Sequence, residues 1–120
     1  MKFFVFALFL FPSWAFADFT LNPERVDFGH VQVGFYKRET VVLKNISDEV
    51  IILHFNGICD RDIGYLSSSC RGGVPPQKFC FIDVYFEPRI DGAQRCRLRV
   101  TDSLDSQQEL VIRGRGVNQP

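Results

Sequence analysis

Residues 70–88, CRGGVPPQKFCFIDVYFEP, decide how this sequence folds. Two cysteines flank a Gly-Gly-Val-Pro-Pro turn, and the second one lies in an apolar run that ends at Pro88. Within that run one set of residues alternates with a second set: Cys80, Ile82, Val84 and Phe86 against Phe79, Phe81, Asp83, Tyr85 and Glu87. A period of two is typical of a β-strand that lies on a core. The pattern therefore predicts a strand over Phe79–Glu87, with the first set facing the core and the second facing away.

The rest of the chain repeats this pattern in short runs rich in Val, Ile, Phe and Thr, which Gly, Pro, Asn and Asp separate. Such spacing is typical of an all-β sandwich, and no helical period is visible after residue 17. An initial extended piece, Phe19–Leu21, precedes the other predicted strands, which are Val26–Gly34, Tyr36–Lys44, Val50–Cys59, Ile63–Ser67, Gln94–Thr101 and Glu109–Gly114.

The first 17 residues, MKFFVFALFLFPSWAFA, have the layout of a secretory signal peptide. Lys2 precedes the apolar run Phe3–Phe11, and a small-x-small cleavage pattern ends at Ala17. The run is much shorter than the ~20 residues that a membrane-spanning helix needs. We therefore predict cleavage after Ala17 and export to the periplasm, cell surface or extracellular space, with no membrane span in the mature chain.

The mature chain is predicted to be one domain over residues 18–117 with a flexible tail, 118–120. Without Lys2 it has 13 basic residues against 14 acidic ones, a balance that argues against binding to nucleic acid or to anionic membranes. Four cysteines in an exported chain of this size indicate two disulfides. A zinc or redox centre would favour close Cys-x-x-Cys pairs, and the sequence has none.

The sequence shows no catalytic constellation, so we predict that the protein is not an enzyme and uses no cofactor or metal. His30 and His54 are the ordinary candidates for proton transfer at neutral pH, and neither has a recognisable partner. Asn45-Ile46-Ser47 is a formal glycosylation sequon, but it coincides with a predicted turn. Residues 60–62, Asp-Arg-Asp, are expected to form a solvated turn.

Several motifs follow one another in a specific order: Leu21-Asn22-Pro23, Val26-Asp27-Phe28-Gly29, Val31-x-Val33-Gly34, Val42-Leu43-Lys44-Asn45-x-Ser47, Cys80-x-Ile82-x-Val84-x-Phe86-x-Pro88, Leu98-x-Val100 and Leu110-Val111-Ile112-x-Gly114-x-Gly116. Their order and spacing resemble the ASH (ASPM–SPD-2–Hydin) family of immunoglobulin-like domains, including bacterial choice-of-anchor modules. That family is similar to the major sperm protein and to PapD-like sandwiches. The resemblance implies an immunoglobulin-like sandwich of seven to eight strands that binds or scaffolds other molecules without catalysis.

The same resemblance bears on how the cysteines pair. In such a sandwich the strands Val50–Cys59 and Gln94–Thr101 are antiparallel neighbours, which brings Cys59 close to Cys96. The Gly-Pro turn then folds Cys70 back onto Cys80. The alternative pairing, Cys59–Cys70 with Cys80–Cys96, remains open at this point.

Two outward surfaces are candidates for binding. Phe79, Phe81 and Tyr85 place aromatic groups on one sheet face, which suits a protein partner or a second copy of the chain. Alternation on the strand Gln94–Thr101 turns Cys96, Leu98 and Val100 inward and leaves three arginines outward, with two more expected beside them: Arg95, Arg97, Arg99, Arg113 and Arg115. Such a row suits phosphate, sulfate or carboxylate groups, unless nearby carboxylates neutralise it.

The sequence therefore predicts an exported, disulfide-stapled, non-catalytic interaction or structural module of the cell envelope. The alternative is a carbohydrate- or polyanion-binding protein of the envelope that uses the arginine row. The aromatic face favours the first function, and salt-sensitive binding would favour the second.

Overall fold

The computed structural model describes residues 17–118, so the predicted signal peptide and the end of the tail lie outside the described residues. Eight strands and one short 3-10 helix, Ser68–Cys70, follow one another along this part of the chain. The strands are β1 Phe19–Asn22, β2 Arg25–Gln32, β3 Lys37–Asn45, β4 Leu53–Cys59, β5 Ile63–Leu66, β6 Phe79–Phe86, β7 Gly92–Asp102 and β8 Gln107–Val117.

The strands form two four-stranded sheets that pack face to face. The first sheet has the order β1-β3-β6-β5, and the second has the order β2-β8-β7-β4. All neighbours are antiparallel except β2 and β8, which run parallel. The predicted all-β, immunoglobulin-like sandwich is confirmed, with eight strands.

Most predicted strands are within one residue of the observed ones in length, and β4, β7 and β8 differ by three or more. The strand predicted from Val50 begins at Leu53, because Ile51 makes a separate bridge to Val74 and the Ile52 N–H donates to Ser103 Oγ. The last strand is longer than predicted, since all of β8 finds backbone partners on β2 or β7. Polar and glycine residues at its ends had made it look shorter.

The core lies between the sheets and follows the predicted alternation. Cys80, Ile82, Val84 and Phe86 on β6 are almost completely buried, and so are Cys96, Leu98 and Val100 on β7. Phe19, Phe28, Leu43, Leu110 and Ile112 complete much of the remainder. Since burial of one large apolar side chain contributes roughly 1.5–3 kcal/mol, this core is the main source of stability.

Gly114 and Gly116 on β8 are required by close approaches rather than by backbone freedom. A Cβ at Gly114 would lie 2.6 Å from the Phe86 ring and 3.2 Å from the Cβ of Phe28. A Cβ at Gly116 would collide with the carbonyl oxygen of Ile90. The glycine motif therefore lets a core aromatic ring and a loop backbone reach β8.

Two disulfides join Cys59 to Cys96 and Cys70 to Cys80, the pairing that the family resemblance implied. Cys59 and Cys96 are register partners on β4 and β7, within the second sheet. Cys70 ends the 3-10 helix and is tied to the second residue of β6, in the first sheet. Each sheet is therefore fastened by its own disulfide. Within the described residues, no helix is long and apolar enough to cross a membrane.

Candidate binding surfaces

The outward side of the first sheet is an aromatic face, which consists of Val42, Leu66, Phe79, Phe81 and Tyr85. The exposed fractions of its three aromatic residues are 55% for Phe79, 49% for Phe81 and 36% for Tyr85. The described N-terminal segment runs at the edge of this sheet as β1 and leaves these rings uncovered. The three side chains therefore point away from the core, as alternation predicts.

Strand register sets the order of groups across the aromatic face. Val42 lies opposite Phe81, and Lys44 lies opposite Phe79 with its Nζ 5.4 Å from the ring centroid. A cation over an aromatic ring is attracted by the ring quadrupole, which holds Phe79 in place without covering it. Two side chains at this end of the face are thus oriented before any partner binds.

The other end of the aromatic face carries a ring that also has a structural role. Tyr85 lies opposite Gly64 in β5, and its ring rests on the glycine. A Cβ at Gly64 would meet ring atoms of Tyr85 at 2.5–2.7 Å. Tyr85 therefore covers a bare stretch of edge strand, in addition to presenting its ring to solvent.

The edge of β6 beside Phe81 is closed by a side chain instead of a strand. Since β5 ends at Leu66, Ser69 takes its place: its Oγ accepts from the Phe81 N–H at 2.8 Å and contacts the Phe81 carbonyl at 3.2 Å. The disulfide from Cys70 to Cys80 fastens this segment. The segment 67–70, Ser-Ser-Ser-Cys, therefore caps the edge of β6 beside the aromatic face and leaves the rings exposed.

Charged groups of both signs surround the aromatic face. Lys44 and Arg38 lie at register positions opposite Phe79 and Tyr85. On β6 the carboxylate of Asp83 accepts a hydrogen bond from Thr40 Oγ1 at 2.7 Å, and Glu87 is exposed just after the strand.

The outward side of the second sheet is an arginine face, which consists of Arg95, Arg97 and Arg99 on β7 with Arg113 and Arg115 on β8. All five side chains are exposed. Arg113 lies directly opposite Arg95, whereas Arg115 lies opposite Ala93. The structure therefore brings the five arginines onto one face, as the sequence predicted.

Carboxylates neutralise part of the arginine face. Arg97 contacts Glu109 at 3.1 Å, and Arg113 contacts Asp27 of β2 at 3.1 Å. A backbone hydrogen bond from Gly29, followed by the hydrogen bond from the Arg113 guanidinium, holds the pKa of Asp27 below its ordinary value. Two of the five arginines are thus paired across neighbouring strands.

A shallow groove of about 550 Å³ crosses the arginine face near the start of β7. Its lining includes Asp27, His30, Asp60, Arg95, Arg113 and Arg115. Asp60 accepts a hydrogen bond from the Arg95 backbone N–H at 2.8 Å, so it faces the groove from the β4–β5 turn. Within residues 17–118, Arg95 and Arg115 form no salt bridge. The groove therefore offers two unpaired guanidinium groups beside two carboxylates.

The turn at residues 60–62 is not fully solvated as expected, because Asp62 is buried. Its Oδ2 accepts hydrogen bonds from Gln94 Nε2 at 2.8 Å and from the Arg89 N–H at 2.9 Å. Its Oδ1 has no hydrogen-bond partner and lies 3.8–4.0 Å from the Nε atoms of Arg61 and Arg89. Desolvation raises the pKa of Asp62, but these hydrogen bonds and the two arginines outweigh it and hold the pKa below its ordinary value.

The remaining polar candidates lie apart from one another. His54 is exposed on β4, and His30 is exposed on β2 at the groove. Asn45 is completely buried, and its Nδ2 donates to the carbonyls of Glu49 and Val74, which makes it a turn residue. Among the described residues, no cluster of three or more His, Cys, Asp or Glu side chains is arranged to hold a metal ion.

Sequence reasoning missed one exposed apolar group, at the end of the sandwich where the β2–β3 and β6–β7 loops meet. The Gly34 N–H donates to the Pro88 carbonyl at 3.0 Å and joins the two loops. Phe35, Tyr36 and Ile90 are each more than half exposed there. The adjacent aromatic residues Phe35 and Tyr36, where one predicted strand ends and the next begins, were the available signal for it.

Comparisons with solved structures show proteins with a similar sandwich fold. The ASH/PapD-like domain 7 of human CEP192 matches with a TM-score of 0.69 at 11% identity, over 87% of this chain and 88% of that domain. A complex of CsuC and CsuE, the chaperone and tip adhesion subunit of Acinetobacter baumannii Csu pili, matches with a TM-score of 0.59 at 12% identity. That match covers 83% of this chain and 57% of the other.

The fold also occurs as a part of larger proteins. The secreted serine protease VesC from Vibrio cholerae matches with a TM-score of 0.65 at 14% identity, over 91% of this chain and 26% of VesC. This chain therefore spans about a quarter of VesC. At such identities the likeness shows the fold alone.

Sequence comparison gives the family. No curated protein matches the chain closely in sequence. The family described as abnormal spindle-like microcephaly-associated, ASPM–SPD-2–Hydin, matches residues 12–109, which is most of the chain. The chain therefore belongs to the ASH family.

Proposed function

We propose that this chain is an exported, non-catalytic protein-interaction module of the cell envelope that binds a protein partner through its aromatic face. ASH and PapD-like domains are interaction folds, which gives the general class. The observation that supports this particular surface is the exposure of Phe79, Phe81 and Tyr85 on one uncovered sheet face.

The composition of the aromatic face suits binding to a protein. Two of its rings already have contacts within the domain, since Lys44 lies over Phe79 and Tyr85 rests on Gly64. Rigid aromatic groups lose little entropy when a partner covers them, and such residues dominate binding energy at interfaces. The partner is expected to present an apolar patch with acidic groups at its margin, opposite Lys44 and Arg38.

Export is supported by the sequence pattern at residues 1–17 and by the disulfides. Disulfides persist in oxidising compartments and are rare in the cytosol. All four cysteines of the chain are paired. We therefore place the domain, residues 18–117, in the periplasm or at the cell surface.

The test is cross-linking of the exported protein in its own compartment, followed by mass spectrometry. Phe81→Asp introduces a charge at the centre of the aromatic face, and Ile58→Asp does the same on the opposite sheet, where the side chain is 76% exposed. Both variants keep the core, so their thermal stabilities should match the wild type.

A protein that is lost from Phe81→Asp but retained by Ile58→Asp identifies the partner and its docking face. A second copy of the chain would appear as a cross-linked dimer and as a concentration-dependent mass in sedimentation. If Phe81→Asp keeps every companion of the wild type, the aromatic face is not the binding surface.

A second candidate function is the binding of sulfated or phosphorylated polymers on the arginine face. The unpaired guanidinium groups of Arg95 and Arg115 at the groove favour it. Dextran sulfate is a suitable probe, with Arg95→Gln/Arg115→Gln as the test variant and exposed Arg71→Gln as the control. Binding that weakens at least tenfold in the double variant and falls steeply with salt would support this function. Equal binding by all three proteins would exclude it.

A further inference from the structure

The turn that follows β7 contains a buried carboxylate whose hydrogen bonds are incomplete. Asp102 is 3% exposed, and its Oδ1 accepts from the N–H groups of Leu104 at 3.0 Å and Ser106 at 2.7 Å. Its Oδ2 is buried and has no hydrogen-bond partner among the described residues. A buried, unpaired carboxylate oxygen is costly, so this atom calls for a donor or a cation.

The residue that lies next to Asp102 is Asp18, at the start of the described domain. The Asp18 N–H donates to Ser106 Oγ at 3.2 Å, so the backbone nitrogen of Asp18 and the carboxylate of Asp102 share Ser106 as a neighbour. Burial raises the pKa of the Asp18 carboxyl group, and the neighbouring carboxylate of Asp102, followed by that of Glu49, raises it further. Three carboxyl groups are thus gathered at this corner.

Nothing in the described part of the chain neutralises this corner. The salt bridges of residues 17–118 involve Asp27, Asp62 and Glu109, and none involves Asp18, Glu49 or Asp102. The three carboxyl groups are also not arranged as a metal site within that range. A positively charged donor at this corner would complete the hydrogen bonds of Asp102 and reduce the repulsion between the carboxylates.

Cleavage of the predicted signal peptide would create such a group at the right place. Water would hydrolyse the Ala17–Asp18 peptide bond, which gives Ala17 a carboxylate and Asp18 an α-ammonium group. The single N–H of Asp18 would become three donors with a positive charge, on the nitrogen that already contacts Ser106. One donor can keep Ser106 Oγ, while the others are free to reach carboxylate oxygens.

We propose that Asp102 forms a binding site for the chain's own processed N-terminus, in which its unpartnered Oδ2 accepts the α-ammonium group of Asp18. The inference rests on the predicted cleavage after Ala17 and is independent of the aromatic face. The ion pair fixes the residue that precedes β1. The first residue of β1, Phe19, is completely buried in the core. Processing therefore completes the folded domain as well as releasing it.

The first measurement is the N-terminal sequence of the exported protein, which should begin at Asp18. The second is the rate at which an amine-reactive reagent labels that α-amino group at neutral pH. An α-amino group ordinarily has a pKa of about 7.7–8.0, and an ion pair that raises it by roughly one unit slows labelling about tenfold. We expect slow labelling in the wild type and ordinary labelling in Asp102→Asn.

Asp105→Asn is the matched control, because Asp105 lies in the same turn, is exposed and has a left-handed backbone that asparagine tolerates. It should label as slowly as the wild type. Should Asp102→Asn fail to fold, a folded chain that retains Ala17 ahead of Asp18 replaces it, since its amino group is displaced by one residue. That chain should label at the ordinary rate and melt at a lower temperature.

Three results would overturn the inference. A mature protein that begins elsewhere than Asp18 lacks the proposed group, and an unprocessed protein would contradict the export proposal as well. Ordinary labelling of the wild type would show that the amino group is free in solution while leaving export intact. Equal labelling of the wild type and Asp102→Asn would show that Asp102 is not its partner.

Discussion

The two outward faces of this sandwich arise from the same alternation of residues along their strands. They differ in whether their exposed side chains find partners within the domain. On the arginine face, Glu109 and Asp27 each pair with an arginine, so part of the charge is satisfied within the domain. On the aromatic face, Phe79 and Phe81 remain half exposed, with no described residue covering them. The second sheet thus has a largely charged outward face, whereas the first exposes aromatic rings that nothing in the described residues covers.

This difference indicates which parts of the sequence determine fold and which determine partner. The inward residues of both sheets are mostly apolar and buried, with Asn45, Gln94 and Asp102 as the polar exceptions on the strands. The outward residues differ because the fold constrains them little. A fold shared with a domain of CEP192, a part of VesC and a chain of the CsuC–CsuE complex therefore says little about the partner of this chain.

The largest expected effect on the free energy of unfolding comes from removing the disulfides. Each sheet has one of them. Loop entropy assigns about 3.9 kcal/mol to the Cys59–Cys96 bond and about 2.8 kcal/mol to the Cys70–Cys80 bond, because the first closes the longer loop. We expect Cys59→Ala/Cys96→Ala to lower the free energy of unfolding more than Cys70→Ala/Cys80→Ala. Urea denaturation of the two double variants measures both.

For binding, the order of the two disulfides should be reversed, and loss of Cys70–Cys80 should have the larger effect. Cys70–Cys80 anchors Ser69, which closes the edge of β6 beside Phe81. Its loss should weaken partner binding at the aromatic face, while the folded Cys59→Ala/Cys96→Ala variant should bind normally. Equal binding by both variants would show that binding at the aromatic face does not depend on the Ser69 segment.

The next largest effect on the free energy of unfolding is expected at Asp62. This residue lies in the turn where the chain passes from the second sheet to the first. Asp62→Asn places an amide where Gln94 and the Arg89 backbone donate, which should cost about 1–3 kcal/mol. Asp60→Asn is the control, since Asp60 is exposed and accepts one backbone hydrogen bond. Its effect on the free energy of unfolding should be smaller.

The cost of Asp62→Asn should depend on pH in a defined direction. The pKa of Asp62 is held below its ordinary value of 3.8, so its contribution is complete above that pH. It is then lost as the pH falls through the lower pKa of the folded state. The stabilities of wild type and variant should therefore converge in acid, and a constant difference from neutral pH into that range would contradict an ionised Asp62.

A smaller effect is expected from Gly64→Ala, which tests whether Tyr85 belongs to the binding surface or to the scaffold. The added methyl would overlap the Tyr85 ring, and the ring can swing outward, so we expect a loss of about 1 kcal/mol. In a Tyr85→Ala background the same change should cost almost nothing. A double-mutant cycle from thermal unfolding measures the coupling, and additive costs would show that the ring does not rest on the glycine.

Alternation alone was sufficient to predict much of this structure. It separated Cys80, Ile82, Val84 and Phe86 from the aromatic residues between them, and it placed the arginines outward, because each strand has one face on the core. The cysteine pairing needed more, since it depends on which strands are neighbours. The family resemblance supplied that order.

What the sequence left out depends on contacts between distant segments. Asp62 resembled a solvated turn residue because its partners, Gln94 and Arg89, lie about thirty residues away. The missing hydrogen-bond partner of Asp102 Oδ2 is likewise visible only in the folded structure, where Asp18 lies beside Ser106. Local composition indicates exposure, but it does not show which distant donor reaches a carboxylate.

The smallest expected effect concerns the charge pairs of the arginine face. Arg97 and Glu109 are both substantially exposed, so Arg97→Gln should lower the free energy of unfolding by less than about 1 kcal/mol, and by less still in high salt. Arg99→Gln is the control, because Arg99 lies opposite Glu109 in register but forms no salt bridge within the described residues. Thermal unfolding at two salt concentrations compares them. A large, salt-insensitive loss in Arg97→Gln would mean that this face is a structural network, whereas small and similar losses would leave its arginines available to a ligand.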